Sequence, residues 1–178
     1  MNIIIYRFIN SKYLRRDLLY SKCLNFHHFF NKKVNNIPKG IIDIIFGYYF
    51  NKSVDNLPSN LQNLTFGVFF NQPVNNLPQT LQNLSFGYKF NQSVDNLPQT
   101  VLNLTFGWMF NQSLDNLPNF IETIKFVECF NIYSCTYNKQ LNCLPNTISE
   151  LILPNNYNYE IKKIPLGLIK NNSFNKSN

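Results

Sequence analysis

Apolar residues recur along this chain with a strict period of twenty residues. When Phe30 is counted as column 1 of a unit, the same column holds Phe50, Phe70, Phe90 and Phe110. Column 2 is asparagine in each of these units, columns 8 and 9 read Leu-Pro or Ile-Pro, and columns 5, 12, 15 and 17 are apolar. A period of this length indicates a solenoid, because stacked units bury a core that one unit cannot form.

Each unit contains one short stretch in which polar and apolar residues alternate. Columns 15 and 17 are apolar, whereas columns 14 and 16 are polar in most units, as in the sequence Asn-Leu-Thr-Phe at 63–66. A two-residue period is typical of a strand with one buried face. The sequence therefore predicts a β-rich solenoid of about seven 20-residue coils whose strands form one parallel sheet.

The apolar columns extend beyond the five obvious units. Leu24 and Phe26 supply a first half-unit, and the columns resume at Tyr137 if an irregular insertion of seven residues is placed at about 130–136. The last of them falls on Leu168. The predicted organisation is an N-terminal leader or cap over 1–23, a repeat domain over 24–170 and a polar tail over 171–178.

Three polar or special columns predict how the coils turn and stack. Proline in column 9 cannot donate to a strand ladder and belongs on a turn outside the sheet. The asparagine of column 2 is expected to satisfy backbone groups of adjacent coils that no strand pairs. Glycine occupies column 18 of four units, yet His27 and Val127 take the same place elsewhere. Close packing or a bulge therefore explains this column better than a required positive φ.

The phenylalanine–asparagine pair, followed by two variable residues, an apolar residue and then Leu-Pro or Ile-Pro, resembles the FNIP repeat over roughly residues 24–168. That family is abundant in social amoebae and in the giant DNA viruses of amoebae, and is regarded as a leucine-rich-repeat variant. The resemblance thus implies a leucine-rich-repeat-like fold and binding more than catalysis. Many members place an F-box or a kinase domain before the repeats, and the leader here is too short for either.

Charge is concentrated at the ends of the chain. Seven of the sixteen lysines and arginines lie in residues 1–33, within a net charge of +7. Polar, charged ends are typical of solenoid caps. A basic leader is also an alternative site for nucleic acid or an anionic surface, through Arg7, Lys12, Arg15, Arg16 and Lys22. Without a signal-peptide layout or a spanning apolar run, we expect a cytoplasmic protein, in the host cytoplasm if the chain is viral.

No set of residues with the spacing of a catalytic or metal site is evident. The two histidines, His27 and His28, are adjacent, and no Ser/His/Asp or Cys/His arrangement can be assembled around them. Cys129, Cys135 and Cys143 lack zinc-site spacing and have no nearby histidine. Column 6 carries three aspartates, but asparagines interrupt it, so a solvated edge is favoured over a calcium site. We expect no enzyme activity, cofactor, metal or small-molecule substrate.

The variable columns predict where a partner binds. Small polar residues in column 16 lie beside variable, often aromatic residues in columns 19 and 20, a composition that protein-binding faces use. Column 19 is open to two interpretations, an outward surface or additional core. The leading hypothesis is a monomeric protein-interaction module with an unknown protein partner, and nucleic acid is not favoured as its ligand. The candidate partner face consists of Thr65, Ser85, Thr105, Tyr88, Trp108 and Lys89.

Overall fold

The structure is a computed structural model that describes residues 3–6, 22–127 and 136–170. Its elements are short, because each unit has few alternating residues before its next turn. The strands are β1 (Ile3–Tyr6), β2 (Cys23–Phe26), β3 (Asp43–Ile45), β4 (Asn63–Thr65), β5 (Asn83–Ser85), β6 (Asn103–Phe106), β7 (Thr123–Phe126) and β8 (Glu150–Ile152). A five-residue helix, α1, follows at Leu166–Lys170. Across these described ranges, no helix has the length and apolar character needed to cross a membrane.

The eight strands form one parallel sheet in chain order, so each coil pairs with the coil before it and the coil after it. Leu64 pairs with Leu84, and Leu84 pairs with Leu104, at an offset of one twenty-residue unit. From β7 to β8 the offset grows to 27 residues, with Thr123 paired with Glu150. The predicted parallel solenoid is thereby confirmed, and residues 128–135, where the sequence places its seven-residue insertion, lie outside the described residues.

Strand β1 lies within the segment that the sequence assigned to the leader or cap. Ile3 pairs with Cys23 and Tyr6 with Phe26, again twenty residues apart. The sequence pattern identified seven strand-like segments, and the structure adds this eighth. It escaped notice because no Phe-Asn or Leu-Pro pair follows it, and because Ile3 and Ile5 fill the columns that are polar in most other units.

Aromatic side chains fill the core in two stacked columns. Within one coil the rings of Phe66 and Phe70, columns 17 and 1, lie 3.7 Å apart between centroids and nearly parallel. Along the solenoid, Phe70 stacks on Phe90 at 6.0 Å. Each such ring is fully or almost fully buried, and burying one large apolar side chain contributes about 1.5–3 kcal/mol. The repeated phenylalanines are therefore structural, and they make each coil depend on its neighbours.

The glycines of column 18 mark the closest backbone contact between coils. A Cβ on Gly87 would lie 2.2 Å from the carbonyl oxygen of Gly67, and a Cβ on Gly67 would meet Gly47 in the same way. None of the glycines in the described ranges has a positive φ. Lack of space, and not backbone conformation, excludes a side chain there, as the sequence predicted. His27 begins the column and Val127, which is exposed, ends it.

The asparagines of column 2 link successive coils through their side chains. The backbone N–H of Asn51 donates to Oδ1 of Asn31 over 2.9 Å, and the backbone N–H of Asn71 donates to Oδ1 of Asn51 over 3.0 Å. The series continues across the insertion, where the backbone N–H of Asn138 donates to Oδ1 of Asn111. We call this series the asparagine ladder. It confirms that column 2 satisfies backbone groups beyond the reach of the sheet.

The prolines of column 9 stand outside the strands, also as predicted. The carbonyl of Pro78 accepts a hydrogen bond from the N–H of Leu81 over 3.1 Å, which closes a tight turn before the next strand. The same turn recurs at Pro58 and Pro98. Since each turn delivers column 12 to the core, proline sets the geometry that buries Leu81 completely.

Candidate protein-interaction surface

The outer face of the sheet, which we call the strand face, is formed by columns 14 and 16. Along column 14 the side-chain amide of Asn103 donates to Oδ1 of Asn83 over 2.7 Å, and Asn63 donates to Asp43 in the same manner. The side-chain amides of column 14 are therefore already engaged in hydrogen bonds along the column. Column 16 carries the more accessible groups, since Thr65 is exposed and Ser85 and Thr105 are half-buried.

The strand face carries charge towards both ends, with Asp43 in column 14 of β3 and an ion pair at the C-terminal end. Lys125 continues column 16 one coil beyond Thr105, and its Nζ lies 2.8 Å from a carboxylate oxygen of Glu150 on the neighbouring strand. Both side chains are more than a third exposed, so the pair contributes little to stability. The central part of the strand face thus presents neutral hydroxyl groups.

Just beyond each strand, columns 19 and 20 form a second surface, which we call the aromatic strip. A second backbone ladder holds it: the N–H of Phe69 donates to the carbonyl of Tyr48, and the N–H of Met109 donates to the carbonyl of Tyr88. The backbone of the strip is therefore hydrogen-bonded from coil to coil, as the strands are. It consists of His28, Phe29, Tyr48, Tyr49, Val68, Phe69, Tyr88, Lys89, Trp108 and Met109.

Column 19 does not enlarge the core. Tyr48 is 41% exposed, and Val68, Tyr88 and Trp108 are half-buried. The rings of Tyr88 and Trp108 meet edge to face, with centroids 5.2 Å apart. The carbonyl of Trp108 also accepts hydrogen bonds from the N–H and hydroxyl of Thr136, where the chain returns after the insertion. Of the two interpretations of this column, the outward one is correct.

The structure arranges the six candidate residues in columns 16, 19 and 20. Thr65, Ser85 and Thr105 follow one another along column 16 at the spacing of the strands. Tyr88 and Trp108 are neighbours in column 19. Lys89, in column 20, is exposed, and its ammonium group lies 4.2 Å from the ring centroid of Phe69, which makes it a cation–π partner. Their surface position is a structural fact, and their role in binding remains a prediction.

Sequence reasoning did not select the most exposed aromatic residues of the strip. Phe29, at 69% exposure, stacks on Tyr49 with centroids 5.4 Å apart, and Tyr49 stacks on Phe69 at 5.2 Å. The signal was available, because Phe29 occupies column 20 of the first half-unit. It was overlooked because that half-unit has lost the glycine which marks column 18 elsewhere.

Burial and neighbouring groups shift the pKa values of two side chains near the strand face and in column 6. Burial raises the pKa of the Cys23 thiol, and the Asp43 carboxylate adds to the effect, so this thiol stays protonated and weakly nucleophilic. Hydrogen bonds from Ser53 and Asn76 lower the pKa of Asp55 in column 6. Within the described residues no group of three or more His, Cys, Asp or Glu side chains could hold a metal ion.

Some candidates lie outside the described residues. They include Cys129 and Cys135, for which a zinc site was weighed. They also include four of the five basic residues of the alternative nucleic-acid site, namely Arg7, Lys12, Arg15 and Arg16, whereas Lys22 is described and exposed.

These features define a leucine-rich-repeat-like solenoid. Each coil contributes one short parallel strand, repeated apolar columns form the core, and variable side chains form the outer face. The fold is similar to the crystal structure of CroV588, a giant-virus protein described as a novel circular LRR protein. It is 26% identical to this chain with a TM-score of 0.56, and the match covers 93% of this chain but 36% of CroV588.

The family model of the FNIP Repeat matches residues 30–67, 53–89, 70–109 and 90–129, which together make up more than half of the chain. The chain therefore belongs to the FNIP repeat family. No curated protein matches the sequence. The resemblance inferred from the Phe-Asn and Leu-Pro columns is confirmed.

Proposed function

We propose that this chain is a non-enzymatic protein-interaction module whose partner binds the strand face and the adjoining aromatic strip. The observation that carries the proposal is the division between constant and variable columns. Phe70, Asn71 and Gly87 belong to columns that repeat because they build the core, the asparagine ladder and the close backbone contact. Columns 16, 19 and 20 vary from coil to coil and face outward. Because the exposed residues of these columns vary while the scaffold residues are constant, the variation supports a binding role for the exposed residues.

The chemistry of the variable columns supports a protein partner. Tyrosine, tryptophan and methionine are enriched at protein interfaces. Tyrosine and tryptophan bury a large area at a small loss of side-chain entropy, and the flexible methionine side chain adapts to irregular surfaces. Tyr88, Trp108 and Met109 bring these residue types together, beside the neutral hydroxyls of Ser85 and Thr105. We further propose that the module acts as a monomer in the cytoplasm, with the partner supplying the surface that covers this patch.

Double substitution Tyr88→Ala/Trp108→Ala tests the proposal. The variant is expected to retain the thermal unfolding transition of the parent chain, since both side chains lie outside the core, and to lose capture of partners from a cell extract. Phe120→Ala is the matched control, because Phe120 is 62% exposed and lies in column 11, outside both surfaces. Unchanged capture by a folded double variant would exclude the assigned face.

A further inference from the structure

The first coils combine exposed aromatic residues with an excess of positive charge. Phe29, Tyr48 and Tyr49 are 69%, 41% and 43% exposed, and they contact one another and Phe69 through their rings. We call these four residues the N-terminal aromatic cluster. Outside the cluster, His27 and Lys89 also contact its rings.

The central rings of this cluster, Tyr49 and Phe69, have neighbours on both of their faces. Phe29 and Tyr49 are inclined by 13°, and Tyr49 and Phe69 by 20°, so each ring lies against the next. The Lys89 ammonium lies over the face of Phe69, 4.2 Å from the ring centroid. Tyr49 and Phe69 therefore offer their edges, and within this stack the outer face of Phe29, which is 69% exposed, is left for a flat ligand.

Edge presentation selects the chemistry of a ligand. The edge of an aromatic ring carries partial positive charge and the face partial negative charge. Exposed edges therefore favour oxygen acceptors, such as carboxylates and peptide carbonyls, together with apolar side chains that pack against the outside of the stack. The hydroxyl groups of Tyr48 and Tyr49, both on exposed side chains, add hydrogen-bond donors for the same acceptors.

The charges around the cluster point to the same ligand. Residues 22–52 contain five lysines and one acid, Asp43, whose carboxylate already accepts a hydrogen bond from Asn63. Residues 53–127 contain two lysines and four acids. The basic side chains follow the cluster closely in the chain, since Lys32 and Lys33 come three and four residues after Phe29 and Lys52 comes three after Tyr49. Charge complementarity thus favours a negatively charged partner at the N-terminal coils over the central coils.

We propose that the N-terminal aromatic cluster and Lys32, Lys33 and Lys52 bind an acidic peptide segment that carries aromatic or aliphatic anchor side chains. This inference rests on the proposed function and names the class of partner. Single-stranded nucleic acid is the other polyanion with an affinity for aromatic surfaces, but it binds by stacking bases on ring faces. Because both faces of Tyr49 and Phe69 are occupied, the stack could take a further base only at its end ring, Phe29, and the observations favour the peptide.

Selection from a displayed library of random peptides tests the inference. The intact chain is expected to enrich peptides rich in Asp or Glu and containing Phe, Leu or similar anchors. An enriched peptide is then synthesised with a fluorescent label, and its affinity is measured by anisotropy for the parent and two variants, Phe29→Ser/Tyr49→Ser and Lys32→Glu/Lys33→Glu. Each variant should bind about tenfold more weakly or worse.

Two controls match these variants in chemistry but not in place. Phe120→Ser removes an equally exposed aromatic side chain, and Lys162→Glu/Lys163→Glu reverses an adjacent, exposed lysine pair in the last coil. Both controls should bind the peptide within about twofold of the parent. Equal loss in the lysine control would mean that net charge alone attracts the peptide, and would overturn the proposed site.

The remaining outcomes separate this inference from the proposed function. Peptides that depend on Tyr88 and Trp108, but not on Phe29 and Tyr49, would overturn the inference and leave the proposed function standing. A labelled oligothymidylate that binds the parent more tightly than the acidic peptide would replace the peptide by nucleic acid. A library from which nothing is enriched would count against both proposals.

Discussion

The backbone N–H of Asn91 donates a hydrogen bond to Oδ1 of Asn71, one coil earlier, over 2.9 Å. The side-chain amide of Gln92 donates to the same oxygen over 3.0 Å. One asparagine side chain therefore satisfies a main-chain donor that the sheet does not reach and orients the first variable residue of the next coil. The coils are joined on two sides of the solenoid, by the strands and by the asparagine ladder.

Replacing Asn71 by alanine is expected to destabilise the fold by about 1–3 kcal/mol, because the part-buried N–H of Asn91 loses its acceptor. Urea unfolding followed by circular dichroism measures the change. Asn75→Ala is the matched control: Asn75 is exposed and accepts only a long, 3.4 Å bond from Asn96, so its loss should be below about 0.5 kcal/mol. Equal losses of unfolding free energy at Asn71 and Asn75 would contradict a stabilising role for the asparagine ladder.

Gly87→Ala is expected to destabilise the chain by about 2–3 kcal/mol or more, because the new Cβ would lie 2.2 Å from the carbonyl oxygen of Gly67 and the two coils must separate. Gly40→Ala provides the comparison, since nothing lies within 4 Å of its Cβ position and its φ is not positive. That change should be neutral or stabilise by about 0.4–1 kcal/mol. Similar melting temperatures for both variants would argue against close packing at Gly87.

Phe90→Ala should destabilise the chain by about 3–5 kcal/mol, because Phe90 is fully buried and stacks on Phe70, Phe86 and Phe110. The same substitution at the exposed Phe120 should change the free energy of unfolding by about 0.5 kcal/mol or less. Chemical denaturation of both variants distinguishes the core column from the surface one. A small effect at Phe90 would mean that the aromatic columns are not the core.

Tyr137→Phe is expected to stabilise the chain by about 1 kcal/mol. Tyr137 occupies the phenylalanine column, and its buried hydroxyl has no hydrogen-bond partner among the described residues, so its removal relieves a desolvation penalty. Tyr159→Phe, at a partly exposed position, should have little effect. A clear loss of stability in Tyr137→Phe would show that the hydroxyl has a partner.

The same residue predicts how stability responds to alkaline pH. Burial raises the pKa of Tyr137, with smaller effects from Tyr157 and Asp115, whereas the unfolded chain has an ordinary phenol pKa of about 10. Above that pH the unfolded state loses a proton that the folded state keeps, so stability falls as pH rises. Tyr137→Phe should therefore show a shallower fall between neutral pH and pH values above about 10. Parallel curves for parent and variant would rule out this contribution.

The sequence predicted most of the fold because each position of the repeat recurs in several units, so its structural role can be inferred from several residues. Leu64, Phe66 and Phe70 are interpretable only as members of columns, and the columns fix register, burial and the side of the sheet together. The insertion was found for the same reason, because Tyr137 and Asn138 restore columns 1 and 2. Strand β1 was missed where the columns fail, since Ile3 to Tyr6 carry strand propensity without turn residues.

The binding surface was less predictable, because side-chain exposure at the end of a strand depends on how the turn is oriented. Column 19 shares the parity of buried column 17, so alternation alone would have directed Tyr48 inward. Tyr48 and Tyr49 lie in a turn beyond strand β3, so the alternation does not extend to them and their side chains are exposed. Contacts such as Lys89 on Phe69 join different columns of different coils, and no single repeat encodes them.

The glycine column also bears on how such a chain could lengthen during evolution. Gly67 supplies the carbonyl against which Gly87 packs, while lacking the side chain that would clash with Gly47. The glycine of an interior coil therefore supplies a carbonyl to the next coil and leaves space for the carbonyl of the previous one. A tandem duplication of the segment that encodes such a coil would insert a new coil without any other change. In the same column, His27 supplies the carbonyl against which Gly47 packs but carries a side chain, and Val127 has a side chain in place of the glycine. Growth by duplication is thus open to the interior units and closed to the terminal ones, which agrees with near-identical repeats in the middle and divergent ones at either end.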